Sequence, residues 1–321
     1  MENQETFEFE SMDKTQTKLS VEVYGPSGSG KTVGALKLAK GIQEQLYPEE
    51  KLEDIGLFID TERRSSTKVV GRSIGGEVLN PLELYVFEPP FDIYKLAKLI
   101  DYAVEVKHKK IIIVDSYSAF WSGVEGILDR AAELDSSGAA KKAYGAWSET
   151  EIVKRKNVLK NLMSNTGAHI IFCMRAKTEY VLEDNQYGKK QPKEVGLKED
   201  MQGDVRYEFD VVFSIDKETH ECKVEKDRIG FLEWRETSGN PTSPLTIADG
   251  RQLAKIASEG LSLEELIQRK KITLMKFILT EKAHKSSKVK LVEQKLGYEL
   301  SKDKVKTLDY ETLTKIVKAI Q

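Results

Sequence analysis

The chain has 321 residues, 40% of them hydrophobic and 32% charged, enough for one large domain and a small one. Its formal net charge is −2, so nothing global draws it to nucleic acid or membrane, and any such surface must be local. No apolar run approaches the ~20 residues that cross a bilayer, and the acidic start MENQETFEFE reads as neither a signal nor a transit peptide, so a cytoplasmic protein without membrane contact is expected.

Residues 1–18 are polar and read as a flexible tail. Phe7 and Phe9 alternate within it, a pattern open to strand addition at a neighbour's sheet edge or to plain disorder. Leu19 to Tyr24 reads as a strand ending at a glycine, and Val33 to Ile42 as an amphipathic helix. Further strands are expected at Ile55–Asp60 and Leu84–Phe87. Between Ile93 and Val106 the apolar residues Ile93, Leu96, Ala97, Ile100 and Val104 recur at helical spacing. Ile111–Asp115 (IIIVD) is a continuous apolar run, the mark of a strand buried on both faces. Helices are expected over 118–134 and 148–164, then another buried strand at Ala168–Met174. This alternation predicts an α/β fold with a mostly parallel sheet between helices. Cys173, in that last strand, and Cys222 read as reduced packing residues, since two thiols make no disulfide framework; the four histidines show no zinc-ligand spacing.

Residues 176–205 are too long and polar for a routine connection and are expected to form a functional loop or hairpin. Strands are expected at Val211–Ile215 and Cys222–Lys226, closing a core over 19–236. A linker and short helix follow over 237–259. Ser262 and Glu265 form a capping box that opens a small basic helical domain over 260–321.

The chemistry concentrates in Gly25-Pro26-Ser27-Gly28-Ser29-Gly30-Lys31-Thr32, which matches G-x-x-x-x-G-K-[ST]. Glycines let consecutive backbone N–H groups turn inward around phosphate oxygens, and a helix starting at Lys31 aims its positive end at the same anion. Lys31 would reach the β/γ-phosphates of ATP and the Thr32 hydroxyl would ligate Mg2+. The four fixed positions arise by chance on the order of once in 100 chains this long. Here they also sit between a strand and a helix, which an ordinary Gly-rich turn would not require.

Asp115 ends the IIIVD strand, where an aspartate holds the magnesium beside Thr32; the competing role is a helix N-cap. Ser116 follows it, so the water-activating acid must come from elsewhere. Glu62, in Asp60-Thr61-Glu62 after the second strand, is the candidate, because ligands of parallel sheets bind at the carboxyl ends of strands. A solvated acid paired with Arg63 or Arg64 is its plain alternative.

The segments LFIDTE at 57–62, IIIVDS at 111–116 and HIIFCMR at 169–175 resemble, in order and spacing, the RecA-type recombinase core. The resemblance covers roughly residues 19–235. More narrowly, GPSGSGKT, the YEFD segment at 207–210 and Lys226-Asp227-Arg228 look like the core-only RecA-like ATPases of phages, including the single-strand annealing group. A separate N-terminal polymerisation domain is not expected.

The resemblance implies further roles. Lys226 and Arg228 match a K-x-R pair that reaches into a neighbouring subunit's ATP; a solvated turn is the alternative. Arg175 stands where the recombinases place a γ-phosphate sensor, usually a glutamine, and an arginine would make the same contact with charge. Segment 176–205 lies at the second DNA loop, with Lys177, Lys189, Lys190, Lys193 and Lys198 interleaved with Tyr180 and Tyr187, against seven acids. Lys141, Lys142, Tyr144 and Trp147 fall at the first DNA loop. From Arg269 to Lys290 there are eight Lys/Arg against Glu281 alone, which suits either nucleic acid or a solvated helix face.

The expected activity is thus DNA-stimulated ATP hydrolysis by a phage recombination protein that anneals or pairs single-stranded DNA. It would act as a homo-oligomeric ring or filament with ATP between subunits, with a single-strand-binding protein as a further partner and a bacterial host cytoplasm as its place. Two alternatives stay open: a hexameric translocase or helicase, which unwinding of duplex DNA would reveal, and a nucleotide-gated scaffold or loader with little turnover. A GTPase is disfavoured by the lack of an N-K-x-D motif.

Overall fold

The computed structural model describes residues 13–137, 145–164, 166–184, 190–203, 205–239, 241–284 and 286–320; side chains of 178–196 and of 263 lie outside the description. Two compact units are present, one of Thr17–Ala257 and one of Met1–Gln16 with Ser258–Gln321.

In the larger unit the strands are β1 (Ser20–Gly25), β2 (Gly56–Asp60), β3 (Ser73–Ile74), β4 (Glu77–Val78), β5 (Glu83–Val86), β6 (Ile111–Asp115), β7 (His169–Asp184), β8 (Lys190–Glu199), β9 (Val211–Ile215) and β10 (Cys222–Asp227). Its helices are α1 (Lys31–Leu46), α2 (Leu52–Ile55), α3 (Ile93–Glu105), α4 (Ala119–Ser122), α5 (Ile127–Ser136), α6 (Thr150–Ser164), α7 (Phe231–Thr237) and α8 (Ile247–Ser258). The central sheet runs β10-β9-β1-β7-β6-β2-β5, and every pair is parallel except β10 with β9. This is the α/β architecture expected from the alternating strand and helix patterns, with helices over a mostly parallel sheet.

Alternate residues of β1 explain why the sheet is covered on both faces. Val21 and Val23 enter a cluster with Leu36, Leu38 and Ile42 of α1 and Leu253 and Ala254 of α8, while Tyr24 enters the opposite cluster with Ile93, Leu96 and Ile100 of α3 and Leu159 of α6. A Cβ on Gly41 would lie 2.2 Å from the Ile247 carbonyl oxygen, and one on Gly250 would lie 2.3 Å from that of Leu38. Only glycines let α1 and α8 approach this closely. Residues 247–258, read as a short helix after a linker, therefore pack as part of the core.

One expected helix is broken. The 118–134 pattern forms α4 and α5, interrupted at Gly123 and Gly126, with Glu125 at φ 57 between them. A Cβ on Gly123 would lie 2.4 Å from the Ala119 carbonyl oxygen, and the Gly126 N–H closes the turn on the Gly123 carbonyl at 2.8 Å. The long polar segment after Arg175 forms an antiparallel hairpin, β7 with β8, that continues straight out of the central sheet.

The larger unit also buries an acid. Glu22 of β1 is fully buried, and neither carboxylate oxygen has a hydrogen-bond partner among the described residues. Burial, then the charge of Glu199, pushes its pKa up to about 8, against the pull of Arg206 and Lys226. A carboxyl whose folded pKa is raised stabilises fully below its unfolded value of 4.5, and that contribution is lost as pH rises through about 8. Stability should therefore fall with a slope of up to about 1.4 kcal/mol per pH unit across this window. Glu22→Gln should flatten that slope and melt higher than the wild type at pH 8, which thermal denaturation at several pH values measures. Parallel melting curves for the two proteins would remove Glu22 as the cause.

The smaller unit contains α9 (Leu263–Ala283), α10 (Ser287–Leu296), α11 (Lys302–Thr307) and α12 (Tyr310–Ile320). Its core joins Ile278, Val289, Val292, Leu300, Val305, Leu313 and Ile316. The Ser262–Glu265 capping box is present at the start of α9. No helix among the described residues is long and apolar enough to cross a membrane.

Candidate nucleotide site

The glycine loop links β1 to α1. Gly28 and Gly30 take left-handed φ values of 83° and 96°, which a side chain would strain. Gly30 is the N-cap of α1 and offers no side-chain bond, and the first turn carries no acid. The amides opening α1 are thus uncapped by side chains, the condition that makes a helix start receptive to an anion. Lys31 is nearly buried, and its Nζ donates to the carbonyls of Gly25 at 3.0 Å and Pro26 at 2.8 Å.

Strand register brings the acids to the same edge. Asp115 stands level with Asp60 on β2 and Cys173 on β7, and Arg175, two residues further along, stands level with Gly25 on β1. The strand ends are also tied together. The Thr61 N–H donates to the Asp115 carbonyl at 2.8 Å, and the Ser116 N–H donates to Thr61 Oγ1 at 2.8 Å. Ser118 Oγ accepts the Arg175 N–H at 3.0 Å. Each side chain at this edge therefore leaves a fixed backbone position.

Thr32 Oγ1 donates to Asp115 Oδ2 at 2.5 Å. Burial pushes the Asp115 carboxyl up to about 6, opposed by that Thr32 bond and by Lys31 and reinforced by Glu62 and Asp60. A hydroxyl and a carboxylate in contact beside a phosphate cradle are hard oxygen donors, the set that suits Mg2+, which takes one or two protein oxygens and fills its remaining positions with phosphate and water.

Glu62 is one-third exposed and pairs with Arg175: Nε and Nη2 both donate to Oε1, each at 3.1 Å. Its described partner is therefore neither Arg63 nor Arg64. Those two have φ values of 54° and 62°, and Asp60 holds the turn, with Oδ1 accepting the N–H groups of Glu62 and Arg64 and Oδ2 the Ser66 hydroxyl. A cleft of about 860 Å³ opens beside them, lined by Glu62, Arg63, Arg64, Phe87, Phe91 and Arg175.

Lys226 lies in β10 and Arg228 just past its end, and register sets Lys226 level with Val212 of β9 and so with Glu22 of β1. Lys226 Nζ donates within its own chain, to the carbonyls of Arg206 and Phe209 at 2.6 Å each, and burial, then Arg228, lowers its pKa. Arg228 is exposed and donates to the Tyr207 carbonyl. Trp147 packs at 5.9 Å from Trp121, ring centre to ring centre. Lys177 pairs with Asp200 at 3.0 Å. Phe7, Phe9, Lys141, Lys142, Tyr144, Tyr187 and Lys189 lie outside the described residues, as do the side chains of Tyr180, Lys190 and Lys193.

His220, in the β9–β10 turn, also belongs to this site. Its Nδ1 lies 2.9 Å from the Ser29 carbonyl oxygen. No local pattern marks it; only the parallel pairing of β9 with β1 brings that turn beside the loop.

A comparison with curated proteins finds no match. Among solved structures, the chain is similar to a KaiC-like protein of the hyperthermophilic archaeon Pyrococcus horikoshii OT3, with 13% identity over 65% of this chain and 78% of that one, at a TM-score of 0.34. The family model described as an AAA domain matches residues 17–242, a span that holds the loop, Thr32, Glu62, Asp115 and Arg175. The chain therefore belongs to the AAA-domain family, and this unit is a P-loop ATPase domain.

Proposed function

We propose that the protein hydrolyses ATP while acting on single-stranded DNA, as a recombination protein of phage type that anneals or pairs strands. Bound Mg2+, held through Thr32 and Asp115, would supply charge neutralisation at the β- and γ-phosphates. Loop amides and Lys31 orient the triphosphate. Glu62 is the proton acceptor for the attacking water, and Arg175 lies against it as the sensor of the terminal phosphate.

The observation that carries the DNA reading is the continuity of β7. The strand ends its run in the central sheet at Arg175, level with Gly25 of β1 and the partner of Glu62, and continues directly into the β7–β8 hairpin, whose sequence interleaves lysines with tyrosines. A ligand that shifts the hairpin base would shift the Arg175 backbone with it. Single-stranded DNA suits such a hairpin through phosphate and stacking contacts. The basic run from Arg269 to Lys290 offers a second contact. A turnover assay with and without single-stranded DNA at low salt tests this. Stimulation supports the reading; the absence of both stimulation and DNA affinity sinks it. ATP-driven unwinding of duplex would favour a translocating motor instead.

Assembly into a ring or filament places ATP between subunits in this reading. Arg228 is exposed and suits a reach across such an interface, with Lys226 as the fixed cation behind it. Arg228→Ala should bind ATP as the wild type does and lose roughly 10³-fold or more in turnover. Mixing it with a Lys31→Ala chain should restore activity if the arginine acts in trans. An Arg228→Ala chain at full rate would remove the finger.

A further inference from the structure

We infer that His220 is a positioning residue for the phosphate cradle: its imidazole pins the Ser29 carbonyl outward and so presents the Gly30 N–H to a bound phosphate. The inference rests on the nucleotide site proposed above.

The imidazole acts as the donor in this contact. A carbonyl oxygen can only accept, so the 2.9 Å contact requires a proton on Nδ1. A trans peptide is planar, with its C=O and N–H pointing in opposite directions. The Ser29–Gly30 bond is not among the cis peptides of the described residues. Fixing the Ser29 oxygen toward His220 therefore aims the Gly30 N–H away from His220. Among the described residues that N–H has no acceptor, whereas the Ser29 N–H is already spent on the Pro26 carbonyl at 3.3 Å. An amide of a glycine loop that lacks an acceptor is what an anion requires.

The backbone that carries the exposed imidazole is preset. His220 has a left-handed φ of 57°, unusual for a residue with a side chain. The turn around it is closed by Asp216, whose Oδ1 accepts the N–H groups of Glu218 at 2.8 Å and Thr219 at 2.9 Å, and whose own N–H donates to the Glu221 carbonyl at 2.9 Å. The strand pairing that places this turn is that of β9 with β1, the strand feeding the loop. The donor and the carbonyl it holds are thus built on neighbouring strands.

The test is ADP binding, by calorimetry, to the full chain and two variants. His220→Ala removes the donor and should weaken ADP binding about tenfold, with a raised KM for ATP and little change in kcat. His220→Asn keeps a side-chain N–H and tolerates the left-handed backbone, so it should bind ADP as the wild type does. Should His220→Ala melt early, His220→Leu, of similar bulk and without a donor, must show the same loss. A donorless variant that binds ADP at wild-type strength overturns the inference, as does His220→Asn failing as far as His220→Ala. A wild-type chain that binds no ADP would instead overturn the nucleotide site itself.

Discussion

Lys31→Ala should cost the protein at least a hundredfold in ATP affinity, and turnover should disappear with it. The ammonium of Lys31 lies within the loop on two carbonyls, those of Gly25 and Pro26, and is nearly buried. The alanine variant loses twice. The site loses the cation built into its glycine loop, worth several charge-assisted bonds. The two carbonyls also lose their donor. Lys31→Arg should not rescue the variant, since a planar fork cannot take the place of a compact ammonium between those two oxygens. Titration of labelled ATP into both variants reads the effect. Wild-type affinity in Lys31→Ala would mean that the glycine turn is not the phosphate cradle, and every role assigned around it would fall.

Some of this site could be read before folding because its chemistry is local. Eight consecutive residues carry the cradle, and their neighbours carry the strand and helix that it needs. The place of Asp115 at the sheet edge was legible because four apolar residues precede it, and that of Glu62 because an acid following a neighbouring parallel strand meets the same edge. The sheet followed from runs such as IIIVD, whose burial on both faces leaves no periodicity except length. What failed to show was long-range. The Glu62–Arg175 bond spans 113 residues and the His220–Ser29 bond 191, and nothing within a window of either residue announces its partner. Lys226 read as half of a cation pair reaching into a neighbouring subunit, or as part of a solvated turn, and neither reading announces the two carbonyls of its own chain to which it donates. The glycines at 123 and 126 were visible, but the apolar spacing around them outweighed the break they cause.

Glu62→Gln should keep ATP bound and slow hydrolysis by about 10²–10⁴-fold, the usual contribution of a positioned proton acceptor. The substitution keeps size and shape, and the Gln oxygen can still accept from Arg175, so the fold and the cleft should survive it. Only the capacity to take a proton goes. The pair with Arg175 makes a companion experiment decisive. If Arg175 restrains Glu62 until nucleotide or DNA arrives, Arg175→Ala should raise the basal rate and blunt stimulation by single-stranded DNA. If Arg175 instead meets the terminal phosphate, the same variant should lower both rates. The double variant separates these roles from fold effects, because contacting residues that act as one unit show strong non-additivity while independent ones add. Wild-type turnover in Glu62→Gln would move the proton acceptor elsewhere. Within the described structure the bond to Arg175 would then be the only remaining role for Glu62, that of an anchor at the root of the hairpin.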